Sequence, residues 1–113
     1  MSERIAIIGS GATRFTEHFS KSYGELVAES AISALEMSGL EWKNIDAAWL
    51  GTAYAYEYGT EGNAGSSLAE AINLYNIPIT RVANYCATGL DVIRNAMFSV
   101  QSGAYKFVLV TGA

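Results

Sequence analysis

The sequence holds one cysteine (Cys86), one histidine (His18) and one proline (Pro78) in 113 residues. A single cysteine excludes an internal disulfide and a cysteine-based metal cluster, and a single histidine leaves no histidine pair for a metal centre. No metal is therefore expected. Charge is scarce as well: 16% of residues are charged, against a usual share of about 25%. Seven Lys and Arg stand against eleven Asp and Glu, a net charge of −4. Seven scattered cations cannot neutralise a phosphate track, so nucleic acid is not an expected partner. Long hydrophobic runs are also missing. The longest aliphatic stretches, Ile5 to Ile8 and Phe107 to Val110, fall far short of the ~20 residues of a membrane span. Met1-Ser2-Glu3-Arg4 leads straight into the first of them without the h-region of a signal peptide, and a cytoplasmic protein is expected.

Apolar residues make up 50% of the chain, enough buried surface to offset the entropy of ordering, which excludes disorder. The length fits one domain. Apolar content with so little charge points to a surface partly covered by another domain or subunit.

The pattern alternates strand and helix. Arg4 to Gly9 is a short apolar run stopped by glycine, as expected of a strand covered on both faces. Residues 9 to 21 are polar and glycine-bearing and read as a loop. Ser22 and Glu25 form a capping-box pair at a helix start. Val27, Ala31, Ala34, Leu35 and Ser38 follow on one face, and Gly39 with Leu40 reads as a Schellman ending. Asp46 to Gly51 is a second strand. Ala64, Leu68, Ile72 and Tyr75 mark a second helix closed by Asn76 and Pro78. Ile79 to Asn84 is a third strand. Leu90, Ile93, Met97 and Val100 mark a third helix, and Lys106 to Thr111 a fourth strand. The order βαβαβαβ requires right-handed crossovers between parallel strands, an α/β fold with a largely parallel sheet. The last strand is strongly apolar and is expected to lie inside a sheet; nothing after it would cover it, so the chain is expected to be part of something larger.

Asn84-Tyr-Cys-Ala-Thr-Gly89 places the lone thiol where the third strand gives way to the third helix. Amides of a first helical turn lack intrahelical partners, and the positive helix end favours thiolate over thiol. The same amides can hold an oxyanion formed when the thiolate attacks a carbonyl. Gly89 leaves room for neighbouring backbone or substrate. Ligands of α/β sheets bind beyond the carboxyl ends of strands, where Cys86 is placed. Strand-helix placement alone also admits a second reading, a small buried hydrophobe in an inert interaction module.

This segment resembles the thiolases, whose acyl-accepting cysteine lies in an Asn-x-Cys-(Ala/Gly)-(Ser/Thr)-Gly sequence. The form Asn84-Tyr-Cys86-Ala-Thr-Gly89 is most similar to the sterol-carrier-protein-type branch with its archaeal and bacterial members. The likeness continues in Ile5-Ala-Ile-Ile-Gly9 with Thr13-Arg14-Phe15, in Asp46-Ala-Ala-Trp-Leu-Gly51, in Asn76-Ile-Pro-Ile79 and in Gly103 to Gly112. The resemblance implies the first half of a five-layer fold and an incomplete N-terminal domain over 1–113. It implies an acyltransferase in which Cys86 takes the acyl group from a CoA thioester or 3-ketoacyl-CoA, for thiolysis or Claisen condensation with ping-pong kinetics. By the same resemblance the Cys86 amide, beside Gly89, serves as an oxyanion donor. The activating histidine, a second cysteine and most CoA contacts fall in the absent second half. The 113-residue chain alone is thus expected not to turn over substrate. Coenzyme A enters as substrate, with no resident cofactor. A homodimer or higher oligomer is expected, and some members of the branch associate with a small zinc-ribbon/OB-fold protein. Ketoacyl synthases and hydroxymethylglutaryl-CoA synthases share the strand-Cys-helix placement, but Asn84 and Thr88-Gly89 favour a thiolase.

Tyr54, Tyr56 and Tyr58 alternate in a glycine-bearing loop, which suits an extended segment with the rings on one face. They read as interface packing or as the lining of a pocket for a bulky acyl group. Gly9-Ser-Gly11 begins like a dinucleotide fingerprint, but Arg14 replaces the third glycine and no helix follows at once. His18 reads as a solvated loop residue, and Asp91 with Arg94 as a solvated pair.

Overall fold

A computed structural model describes residues 4–53 and 64–113. The elements are α1 (Tyr23–Ser38), β1 (Ala47–Gly51), α2 (Ala64–Ile72), β2 (Ile79–Val82), α3 (Thr88–Gln101) and β3 (Val108–Gly112), with short 3-10 turns at Trp42–Asn44 and Tyr85–Ala87. The strands form a parallel sheet in the order β2-β1-β3. The α/β class with a parallel sheet is as expected from the sequence.

The start of α1 follows from local chemistry. The Ser22 hydroxyl accepts the Glu25 amide at 3.2 Å, and the Glu25 carboxylate accepts the Ser22 amide at 2.6 Å. At the other end Gly39 takes a left-handed φ of 73° and its amide bonds the Glu36 carbonyl, a conformation that a Cβ disfavours.

Chain direction decides the layers. β2 lies on one side of β1, and β3 returns past β1 to the other side. Right-handed crossovers then place α2 and α3 on opposite faces. α1 and α2 pack together on one face, where Val27, Ala31, Leu68 and Ile72 meet Ala48, Leu50 and Leu109. The opposite face of β1 carries Gly51, against which α3 lays Thr88 and Val92. At the amino end of the sheet, the Asp46 carboxylate accepts the amides of Lys106 and Phe107 at 2.8 and 3.1 Å. Those two bonds, the Lys106 one first, hold its pKa below the usual carboxylate value and tie the start of β3 to β1.

Four local expectations change. Arg4 to Gly9 pairs with no strand among the described residues: Ile7 and Ile8 are exposed, and the segment crosses α1 instead. A Cβ at Gly9 would collide with the Ala34 carbonyl oxygen, and one at Gly11 with Ser33, so these glycines serve a close approach to a helix. β1 already has a neighbour on each side, which leaves this run no place beside it. α2 ends at Ile72, because Asn73 turns to a left-handed φ of 52°; Leu74, not Tyr75, is buried. α3 buries Thr88, Val92 and Ala96, while Leu90, Ile93, Met97 and Phe98 are exposed. Small side chains face the sheet because β1 meets the helix with a glycine. β3, expected inside a sheet, is an edge among the described residues.

Candidate active site

α2, which follows β1, and α3, which follows β2, lie on opposite faces of the sheet, an arrangement in which α/β sheets bind ligands beyond the carboxyl ends of the strands. β2 ends at Val82, and Tyr85–Ala87 makes one 3-10 turn before α3 begins. Cys86 sits in that turn and is exposed. Its amide, second in the turn, has no acceptor within the helix.

Tyr85, just before the thiol, has a φ of 44°, a left-handed backbone that costs a non-glycine residue about 1 kcal/mol or more. Hydrogen bonds surround it. The Asn84 carbonyl accepts the Ala87 amide at 2.9 Å. The Tyr85 carbonyl accepts both the Thr88 amide and the Thr88 hydroxyl, the latter at 2.7 Å. The same hydroxyl accepts the Asn84 amide at 2.8 Å. Thr88 is buried, and its methyl lies over Gly51.

Two open clefts flank the turn. One, of about 470 Å³, lies at the carboxyl ends of β1 and β3; Gly51, Thr88, Gly89, Val92, Val110 and Gly112 are among its walls. The other, of about 270 Å³, is lined by Asn84, Ala87, Leu90, Asp91 and Arg94. The chain neighbours of Cys86 contribute to both. A Cβ on Gly89 would meet nothing within 4 Å, so the space above it is open. Asp91 and Arg94 pair at 2.9 Å on α3. His18 lines neither cleft; its Nε2 lies 2.7 Å from the Arg14 carbonyl oxygen. Tyr54, Tyr56 and Tyr58 lie outside the described residues.

Two features of this end of the sheet escape sequence reading. Arg81 donates from Nη2 to the Thr52 carbonyl at 3.2 Å, while its Nε and the Thr52 hydroxyl are buried without a partner among the described residues. Thr88, quoted in the sequence only as a motif letter, bridges the turn. A threonine following an Asn-x-Cys turn is the signal that marks it, since a hydroxyl there reaches back to the turn's own backbone. Among the described residues no group of three His, Cys, Asp or Glu is placed to hold a metal ion, and no helix is long and apolar enough to cross a membrane.

The chain is similar to acetyl-CoA acetyltransferase of Methanocaldococcus jannaschii, with 38% identity over 108 residues, 96% of this chain and 28% of that protein. The acetyl-CoA acetyltransferase of Methanothermobacter thermautotrophicus is 31% identical over the same shares. Sterol carrier protein 2 of Gallus gallus is 29% identical over 99% of this chain and 20% of its own length. The chain thus spans between a fifth and under a third of these relatives. Among solved structures, 3-oxoacyl-[acyl-carrier-protein] synthase III from Aquifex aeolicus superposes with a TM-score of 0.73 at 18% identity, over 83% of this chain and 30% of that one. The Ltp2-ChsH2(DUF35) aldolase gives 0.75 at 23%, over 93% and 26%. These two likenesses carry the fold, and the sequence matches carry the family. Residues 5–113 match the thiolase N-terminal domain, and the chain belongs to that family.

Proposed function

We propose that this chain supplies the nucleophile of a thiolase-type acyltransferase, and that Cys86 is that nucleophile. The observation that carries the reading is the exposed lone thiol in the turn between β2 and α3, beyond the carboxyl end of the sheet. Membership of the thiolase N-terminal domain family and likeness to acetyl-CoA acetyltransferases support it.

In the proposed step the Cys86 sulfur, having lost its proton to a base, attacks the carbonyl carbon of an acyl-CoA. A C–S bond forms and the carbonyl π pair moves to oxygen. Collapse of that oxyanion breaks the bond to the CoA sulfur, which leaves and takes up a proton. The acyl group stays on Cys86 until a second acyl-CoA carbanion (condensation) or CoA thiolate (thiolysis) removes it, so one difficult transfer becomes two easier ones. The Cys86 amide beside the open space at Gly89 is the proposed oxyanion donor from this chain.

The base, the second proton-transfer group and most CoA contacts belong, in this proposal, to a second half, and the 113 residues alone do not turn over. A dimer and a small zinc-ribbon/OB-fold partner belong to the proposal too. The likeness to the Ltp2-ChsH2(DUF35) aldolase favours seeking a second protein component.

The test is an intact-mass spectrum of the natively purified protein after brief mixing with acetyl-CoA or acetoacetyl-CoA. The expected result is an acyl adduct that Cys86→Ala abolishes. An adduct that survives Cys86→Ala, or none at all under conditions of turnover, overturns the assignment.

A further inference from the structure

We infer that Thr88 is the positioning residue that aims the Cys86 sulfur, through a hydroxyl clamp across the turn. The inference rests on Cys86 being the acyl-accepting nucleophile.

The geometry has three parts. Tyr85 holds a left-handed φ of 44° immediately before Cys86. Nothing intrinsic to tyrosine favours that conformation, so the surroundings must hold it. The Thr88 hydroxyl does so from both sides: it accepts the Asn84 amide at 2.8 Å and donates to the Tyr85 carbonyl at 2.7 Å. One oxygen thereby joins the peptide group before the Asn84 Cα to the one after the Tyr85 Cα, which brackets the torsions of both residues, the strained one included. The third part is the anchor. Thr88 is 7% exposed, and its methyl stands against Gly51 at the end of β1. The direction of the Cys86 side chain is thus referred to the central strand rather than to a free loop.

A hydroxyl in this role acts on rate and not on affinity. Its two hydrogen bonds both go to the backbone of the turn, so it acts on the direction of the sulfur and KM is not expected to move. Misdirection of the sulfur lowers the fraction of bound substrate in attack geometry, and kcat falls. Asn84 and Tyr85 are exposed, so water can satisfy their peptide groups when the hydroxyl is removed, and the fold should survive the change.

The natively purified protein is assayed for thiolysis of acetoacetyl-CoA as wild type, Thr88→Val and Thr88→Ser. Valine keeps the methyl against Gly51 and removes the clamp; serine keeps the clamp. The expected result is a fall in kcat of at least about tenfold for Thr88→Val with KM within about twofold, and Thr88→Ser within about threefold of wild type. If Thr88→Val does not fold, Thr88→Ala is read by the same criteria. Wild-type kcat in Thr88→Val overturns the inference, as do equal losses in the valine and serine variants, which would assign the effect to packing. Turnover that survives Cys86→Ala fells the underlying reading instead, and that outcome is separate from a Cys86 that still acylates normally in Thr88→Val.

Discussion

Adding one methyl group at Gly51 tests the link between sheet and nucleophile. A Cβ there would lie 3.1 Å from the Thr88 Cγ2, 3.1 Å from the Val92 Cγ1 and 3.4 Å from the Val92 Cβ. Carbon atoms sit at an optimum of about 3.5–4.0 Å, so the first two contacts are short by about 0.4 Å or more. Either α3 stays and the overlap is stored as strain, or its first turn lifts by a few tenths of an ångström. Overpacking of this kind costs about 1–3 kcal/mol, offset by up to about 1 kcal/mol from the stiffer unfolded chain of an alanine variant. If the turn lifts, Cys86 moves with Thr88. A 1 Å misplacement can cost about a hundredfold in rate, so on a logarithmic scale 0.4 Å is worth about sixfold. Gly51→Ala is therefore expected to lower urea stability by about 1 kcal/mol, to slow acylation of Cys86 by acetyl-CoA severalfold, or to do both. The readouts are the unfolding midpoint and the adduct rate by mass spectrometry. An unchanged midpoint together with an unchanged rate would refute the argument that Gly51 sets the seat of α3.

Leu68 is fully buried between α1, α2 and the sheet, and Leu68→Ala is expected to cost about 2–5 kcal/mol in urea unfolding; a loss below about 1 kcal/mol would contradict the packing described. The Asp46 carboxylate has a lowered pKa in the folded protein, chiefly from the Lys106 amide. Its contribution is present above the unfolded value of about 3.9 and is lost as pH falls through the still lower folded value. Asp46→Ala should thus melt below wild type at pH 7, with the gap closing below about pH 4; a gap that persists unchanged to pH 2 would remove the charge from the explanation.

Legibility in the sequence followed the range of the interaction. The capping box of Ser22 and Glu25 and the left-handed Gly39 involve neighbours in sequence, and α1 begins and ends where they stand. Arg4 to Gly9 is a different case. Its apolar run has the composition of a strand, but pairing depends on a free neighbouring edge, and composition carries no record of which edges are taken. Gly9 and Gly11 lie instead against the backbone of α1, a contact between distant segments that no local pattern encodes.

α3 shows the same limit on a single helix. Periodicity locates its apolar stripe at Leu90, Ile93 and Met97, and that stripe is real, yet it is exposed while Thr88, Val92 and Ala96 meet the sheet. Burial depends on the facing surface, and Gly51 admits a close helix with small side chains. The site divides along this line. The Asn-x-Cys-Ala-Thr-Gly wording made the thiol conspicuous because nucleophile, turn and helix start are adjacent in the chain. The role argued for Thr88 was hidden, since it needs the folded distance between its methyl and β1 and the left-handed turn at Tyr85. A motif read as letters identifies the reacting atom, whereas the groups that orient it emerge only where the turn closes on the strand beneath.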